Sequence, residues 1–180
     1  IKILEDSKKH GVMRIDGDEF RNSLPHYSGN NSYLFQASIS VIVDKIHDMA
    51  LDKKQSFVFD GTFSKYEKAV KNLRRSLNKG RVVHIFYVFQ NPEIAWKFTQ
   101  EREKLEGRNI PKPVFIEQFL GAQEVIERIR REFAQEVVIY LVKKDFEQNT
   151  QDTIEIEPNG KTIADYLPNR YTKENLENIL

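Results

Sequence analysis

Val12-Met13-Arg14-Ile15-Asp16-Gly17-Asp18-Glu19-Phe20-Arg21 is the stretch on which the fold turns. An apolar run is broken by an acid and then by glycine, where a buried parallel strand would end and a loop begin. Phe57-Val58-Phe59-Asp60-Gly61-Thr62-Phe63 repeats the pattern. In open α/β sheets the carboxyl ends of the strands line the ligand crevice, so acids placed there face a site rather than the core. A single Asp-Gly ending would equally suit a common turn. Two of them, in a chain that alternates strand-like and helix-like segments, point to a nucleotide- and metal-binding α/β domain.

Working outward, Ile1–Lys9 reads as the last turns of a helix stopped by His10-Gly11. Asn30-Asn31-Ser32 offers an N-cap for an apolar helix over Tyr33–Met49. Phe57–Phe59 is the second strand, Ser64–Asn78 a charged amphipathic helix, and Val82–Phe89 a long buried strand. Asn91-Pro92 opens a helix that runs to Glu106, because proline suits a first helical turn. Gly107–Pro113 is loop chemistry, Val114–Arg131 a further helix, and Val137–Val142 a fourth strand. Such alternation predicts a mostly parallel sheet with right-handed crossovers and helices on both faces. Beyond Lys143 the pattern changes to a short strand and turn at Ile154–Gly160 and a small helix over Thr172–Leu180. Residues 1–142 therefore read as the core, with 143–180 an extension packed on the same domain.

Bulk properties exclude several classes. Charged residues are 31% and hydrophobic ones 39% of 180 residues, as in a globular protein. Lys and Arg number 28 against 27 Asp and Glu, a net charge of +1, so no global basic field argues for nucleic acid or an anionic membrane. No apolar run approaches membrane-spanning length. The chain has no cysteine, which removes disulfides, thiol nucleophiles and Cys-based zinc sites and fits a reducing cytoplasm.

Ile15-Asp16-Gly17-Asp18-Glu19-Phe20-Arg21, followed by Pro25-His26-Tyr27, resembles the strand-and-loop signature of the zeta toxin family. Phe57-Val58-Phe59-Asp60-Gly61-Thr62 resembles its second signature, usually written with Glu before Gly-Thr, and Glu101-Arg102 with Gly107-Arg108 its lid arginines. The ordered set covers roughly residues 1–142. The resemblance implies a P-loop kinase-like three-layer α/β sandwich that uses ATP and Mg2+ to phosphorylate a hydroxyl of a small molecule. A nucleotide sugar such as UDP-N-acetylglucosamine is the implied acceptor, and an antitoxin protein the implied partner. On that resemblance Asp18 orients the acceptor hydroxyl and takes its proton. Asp16 helps with magnesium or holds the loop, and Asp60 serves magnesium, the acceptor, or both. Thr62 and Arg21 are assigned to substrate, and Arg102 and Arg108 to phosphate oxygens, where a forked guanidinium suits a tetrahedral anion.

Each residue also has a plainer reading. Asp16 and Asp18 suit a turn cap, Asp60-Gly61 a strand exit, and Arg102 a solvated helix face in Glu101-Arg102-Glu103-Lys104. His47 and His84 lie in apolar patterns that suit core or partner-bound histidines. The phosphate cradle G-x-x-x-x-G-K-[ST] does not occur in the 180 residues. The expectation is that Ile1–Lys9 is the tail of the cradle's helix, with the cradle upstream of Ile1. The alternative is a catalytically inactive P-loop relative that acts as a protein-binding module.

Overall fold

The computed structural model describes residues 11–146, 148 and 150–180, so the expected helix over Ile1–Lys9 lies outside the described residues. The chain forms two compact units, one reaching to Gly61 and including Glu101–Asn109, the other made of Thr62–Gln100 and Ile110–Leu180.

In the first unit β1 (Met13–Asp16) and β2 (Phe57–Asp60) pair in parallel, with Met13 opposite Phe57 and Asp16 opposite Asp60. Side chains alternate across a strand. Met13, Ile15, Phe57 and Phe59 therefore share one face, and pack on Ile39, Val43 and Ala50. Arg14, Asp16 and Asp60 fall on the other. Sequence reasoning expects a loop after Asp16. A short helix α1 (Gly17–Arg21) starts there instead, and Asp16 caps it by accepting from the Asp18 N–H at 2.9 Å. The core helix of this unit is α2 (Ser32–Asp52), three residues longer than expected at its C-terminal end. Its buried His47 sits edge-on to Phe57 and Phe59, at centroid distances of 5.0 and 5.2 Å.

The second unit carries α3 (Tyr66–Leu77), β3 (Val83–Phe89), the first turns of α4 (Pro92–Glu106), α5 (Lys112–Glu132), β4 (Val137–Asp145), β5 (Thr150–Ile156) and α6 (Lys173–Ile179). β3 and β4 are parallel; β5 returns antiparallel to β4. Both strands of this hairpin are longer than their apolar segments suggest. The extra residues, Lys143–Asp145 and Thr150–Thr153, are polar, and ladder hydrogen bonds rather than burial hold them in register. The core joins Ala69 and Leu73 of α3, Phe89, Val125, Ile126 and Ile129 of α5, and Ile139 and Leu141 of β4. His84 is not in that core: it is exposed and stacks on Tyr140 beside Phe86.

One ion pair ties the segment after β5 to α5. Arg130 is 6% exposed, and its Nη2 donates to Glu127 Oε1 at 2.6 Å. Glu127 Oε2 accepts from the Ile163 N–H at 3.0 Å, and Arg130 also donates to the Pro158 carbonyl. Burial pushes the Glu127 carboxyl up, but the bonds from Arg130 and Ile163 outweigh it and hold the pKa below its ordinary value. A carboxylate depressed in the fold contributes stability that is complete above the unfolded value, near 4.5, and lost as pH falls through the folded one. Glu127→Ala strands a buried guanidinium and is expected to cost about 3 kcal/mol. Urea unfolding at pH 7, followed by circular dichroism, measures it.

Candidate active site

Asp18 is the hub. The Arg21 Nε, three residues on, donates to its Oδ1 at 3.1 Å. Arg21 is only 5% exposed, and its other nitrogens donate to Gln36 Oε1 at 2.9 Å and the Ser32 carbonyl at 3.4 Å. The α2 helix thus fixes Arg21, which in turn fixes Asp18. Each of the three Arg21 guanidinium nitrogens thus has a partner within the fold.

The second oxygen, Oδ2, takes both lid arginines: Arg108 Nη1 at 2.5 Å and Arg102 Nη2 at 3.1 Å. Arg102 lies on the last turns of α4 and also reaches Glu106 Oε2 at 3.3 Å. Gly107 ends that helix at φ 70°, its N–H returning to the Glu103 carbonyl, a conformation suited to glycine. This reversal brings Arg108 back to the oxygen that Arg102 already holds. The segment is seated by close backbone approach. A Cβ on Gly29 would lie 2.0 Å from the Glu106 carbonyl oxygen and 2.8 Å from the Arg108 nitrogen. Asn31 fastens the same turn, accepting from the Ser28 N–H and donating to the His26 carbonyl.

At the strand ends, Asp16 and Asp60 are register partners. Arg14 Nη2 lies 2.7 Å from Asp16 Oδ2 and 2.5 Å from Asp60 Oδ2, and its Nη1 lies 3.2 Å from Glu19 Oε1. Burial raises the Asp16 pKa; the Asp18 N–H and Arg14 offset this only in part, and the neighbouring Asp60 and Asp18 charges add to it. Asp18 goes the other way. Burial alone would raise it, but the charge of Arg108 and the bonds from Arg102, Arg21 and Arg108 hold it below the ordinary carboxylate value. Arg108→Ala is therefore expected to move the Asp18 titration to higher pH, read by carboxyl carbon-13 NMR. An unmoved titration would show that Arg108 does not act on Asp18 in solution.

Two carboxylates at adjacent strand ends fit magnesium, a hard ion that takes one or two carboxylates and completes its shell with water and phosphate oxygens. Among the described residues no group of three or more His, Cys, Asp or Glu side chains could hold a metal by itself. Thr62 belongs to the second unit, where its Oγ1 lies 3.3 Å from Ser64 Oγ. Phe63 follows at φ 53°, a strained backbone for an aromatic residue.

Of the seven residues singled out in the sequence, six are thus in the first unit. Asp18 joins Arg21, Arg102 and Arg108, and Arg14 links Asp16 to Asp60. Sequence reasoning missed Arg14, Gly29 and Gln36. A charged residue inside an apolar strand is a usable signal for Arg14, since it must find a partner; nothing local marks the other two.

Parallel strands that end in acids, within a mixed α/β chain, fit a P-loop kinase-type fold. The Zeta toxin family model matches residues 1–160, and the chain belongs to the zeta toxin family. A solved structure from the PezAT chromosomal toxin-antitoxin system of Streptococcus pneumoniae shares its fold, with a TM-score of 0.70 and 16% identity. That match covers 99% of this chain and 80% of the other. No curated protein matches the sequence.

Proposed function

We propose that the chain is a kinase-type phosphotransferase that moves a phosphoryl group from ATP to a hydroxyl of a nucleotide sugar such as UDP-N-acetylglucosamine. The observation that carries this reading is the convergence of Arg102 and Arg108 on Asp18, which sets an anionic proton acceptor beside two forked cations. When bound, ATP supplies the phosphoryl group and magnesium cancels charge on its oxygens. Asp60 and Asp16 are the residues that would hold the ion. The acceptor O–H loses its proton to Asp18 as its oxygen bonds phosphorus and the bond from phosphorus to the leaving ADP breaks. A carboxylate held below its usual pKa is a weak base. Its role in a loose transition state is therefore to orient the hydroxyl and receive a late proton. Arg102 and Arg108 would stabilise the oxygens of the transferred group, where forked donors match a tetrahedral anion. The phosphate-cradling motif is not among the 180 residues, so this reading draws on them for acceptor, ion and lid, not for the cradle.

Family membership supports the nucleotide-sugar acceptor, a cytoplasmic site of action and an antitoxin partner, and the fold of the PezAT-system protein fits that partner. Among the described residues no helix is long and apolar enough to cross a membrane. The test incubates the native protein with magnesium-ATP and UDP-N-acetylglucosamine and follows both by phosphorus-31 NMR. A new sugar-phosphate resonance that grows with ADP supports the reading. ATP bound but unspent in the presence of nucleotide sugars removes that acceptor, and no ATP binding at all leaves a protein-binding module.

A further inference from the structure

Arg14 has a place in the first unit that no motif explains. Its Nη2 donates to Asp60 Oδ2 at 2.5 Å and forms an ion pair with Asp16 Oδ2 at 2.7 Å, so it reaches a carboxylate on each of two strands. The two acids are register partners on adjacent parallel strands, where like charges facing each other repel. One nitrogen therefore lies close to an oxygen of each carboxylate. The other terminal nitrogen is turned to Glu19, which leaves Nε buried with no hydrogen-bond partner. Giving up that bond is costly for a buried donor. The head of the side chain is thus committed to the carboxylates at the expense of its own stem.

We propose that Arg14 is a resident counter-cation of the strand-end acids, and that it competes with the divalent cation for Asp16 Oδ2 and Asp60 Oδ2. The inference rests on the reading of Asp16 and Asp60 as the residues that would hold the ion. A divalent ion held by those two carboxylates would sit close to Arg14 Nη2, and two positive charges repel at that range. Arg14 holds the carboxylates apart and in register, and at the same time weakens their hold on a metal. It is a positioning residue that sets cation affinity, not a ligand. Loss of its charge leaves two facing carboxylates with a stronger demand for a cation.

The test is direct binding of Mn2+ to the full chain, with free ion counted by electron paramagnetic resonance, in Arg14→Met, Arg14→Lys and Asp60→Asn. Arg14→Met is expected to bind Mn2+ about tenfold more tightly than the parent, and Arg14→Lys, which keeps the charge, to stay close to the parent. Added Mn2+ should also restore more melting temperature to Arg14→Met than to the parent, because a ligand stabilises the folded state it binds. Arg14→Gln serves as a second neutral variant should Arg14→Met fold poorly. Equal or weaker Mn2+ binding by the neutral variants overturns the proposal, since a merely structural arginine would leave a looser site. Absence of Mn2+ binding in parent and neutral variants alike overturns it too. Asp60→Asn reports on the underlying reading. Parent-like binding by that variant removes Asp60 from the cation site. Lost binding, combined with an unaltered Arg14→Met, leaves the site standing and discards only the role of Arg14.

Discussion

Asp18→Asn is expected to lower phosphoryl transfer by about 10²–10⁴-fold, the range a positioned proton acceptor contributes. The substitution keeps the size of the side chain and removes the charge on which three guanidinium groups converge. Arg21 retains Gln36 and the Ser32 carbonyl, so α1 stays anchored to α2. Asn keeps a single oxygen, so either the Arg102–Arg108 pair or Arg21 meets an amide nitrogen, which donates where they need an acceptor. If Asp18 serves the acceptor as proposed, transfer should therefore collapse while binding of magnesium-ATP by the native protein survives. Rapid-quench transfer assays beside equilibrium nucleotide binding separate the two quantities. Parent-like turnover would take Asp18 out of the mechanism. Joint loss of turnover and nucleotide binding would make it a structural hub.

Gly29→Ala is the second large effect, and it involves a residue that touches no substrate. The new methyl would need to sit 2.0 Å from the Glu106 carbonyl oxygen and 2.5 Å from the Gly107 carbonyl carbon. These are backbone atoms, which cannot rotate aside as the end of a side chain can. The Glu106–Arg108 segment must move, and Arg108 moves with it. A displacement near 1 Å at a reacting centre costs on the order of a hundredfold in rate. The expected result is that loss in turnover, on top of the stability cost of moving backbone atoms. Steady-state kinetics beside a thermal melt checks it. Parent-like turnover would show that the Gly29 turn and the Arg108 segment separate without consequence.

Much of this was legible in the sequence because it is local. Four apolar-to-acid residues at Met13–Asp16 and again at Phe57–Asp60 carry their own strand signal, and Pro92 at a first helical turn carries its helix. The α1 helix was not legible, since five residues opening with Gly17 show no period, and the cap from Asp16 is what starts the helix. The two aspartates read as separate strand ends. Their facing each other depends on a pairing across 44 residues that no local pattern encodes. Arg21 has the residue type of a substrate ligand, yet its burial against Gln36 follows from the crossing of α1 and α2. Gly29 lies in Ser28-Gly29-Asn30-Asn31, where glycine suits any turn. Its closeness to Glu106 arises only when segments 77 residues apart meet. The residues proposed to carry chemistry are thus visible by type, and those packed behind them are not.

Arg102 and Arg108 end on a single carboxylate oxygen. A carboxylate oxygen has two lone pairs, enough for one bond from each arginine, whereas a tetrahedral oxyanion would offer each its own oxygen. Chloride has no such set of corners and can only screen the pair. On the proposed reading the pair would tell ions apart by shape: a polyoxyanion could separate the two arginines and satisfy both, while simple salt would only weaken their grip.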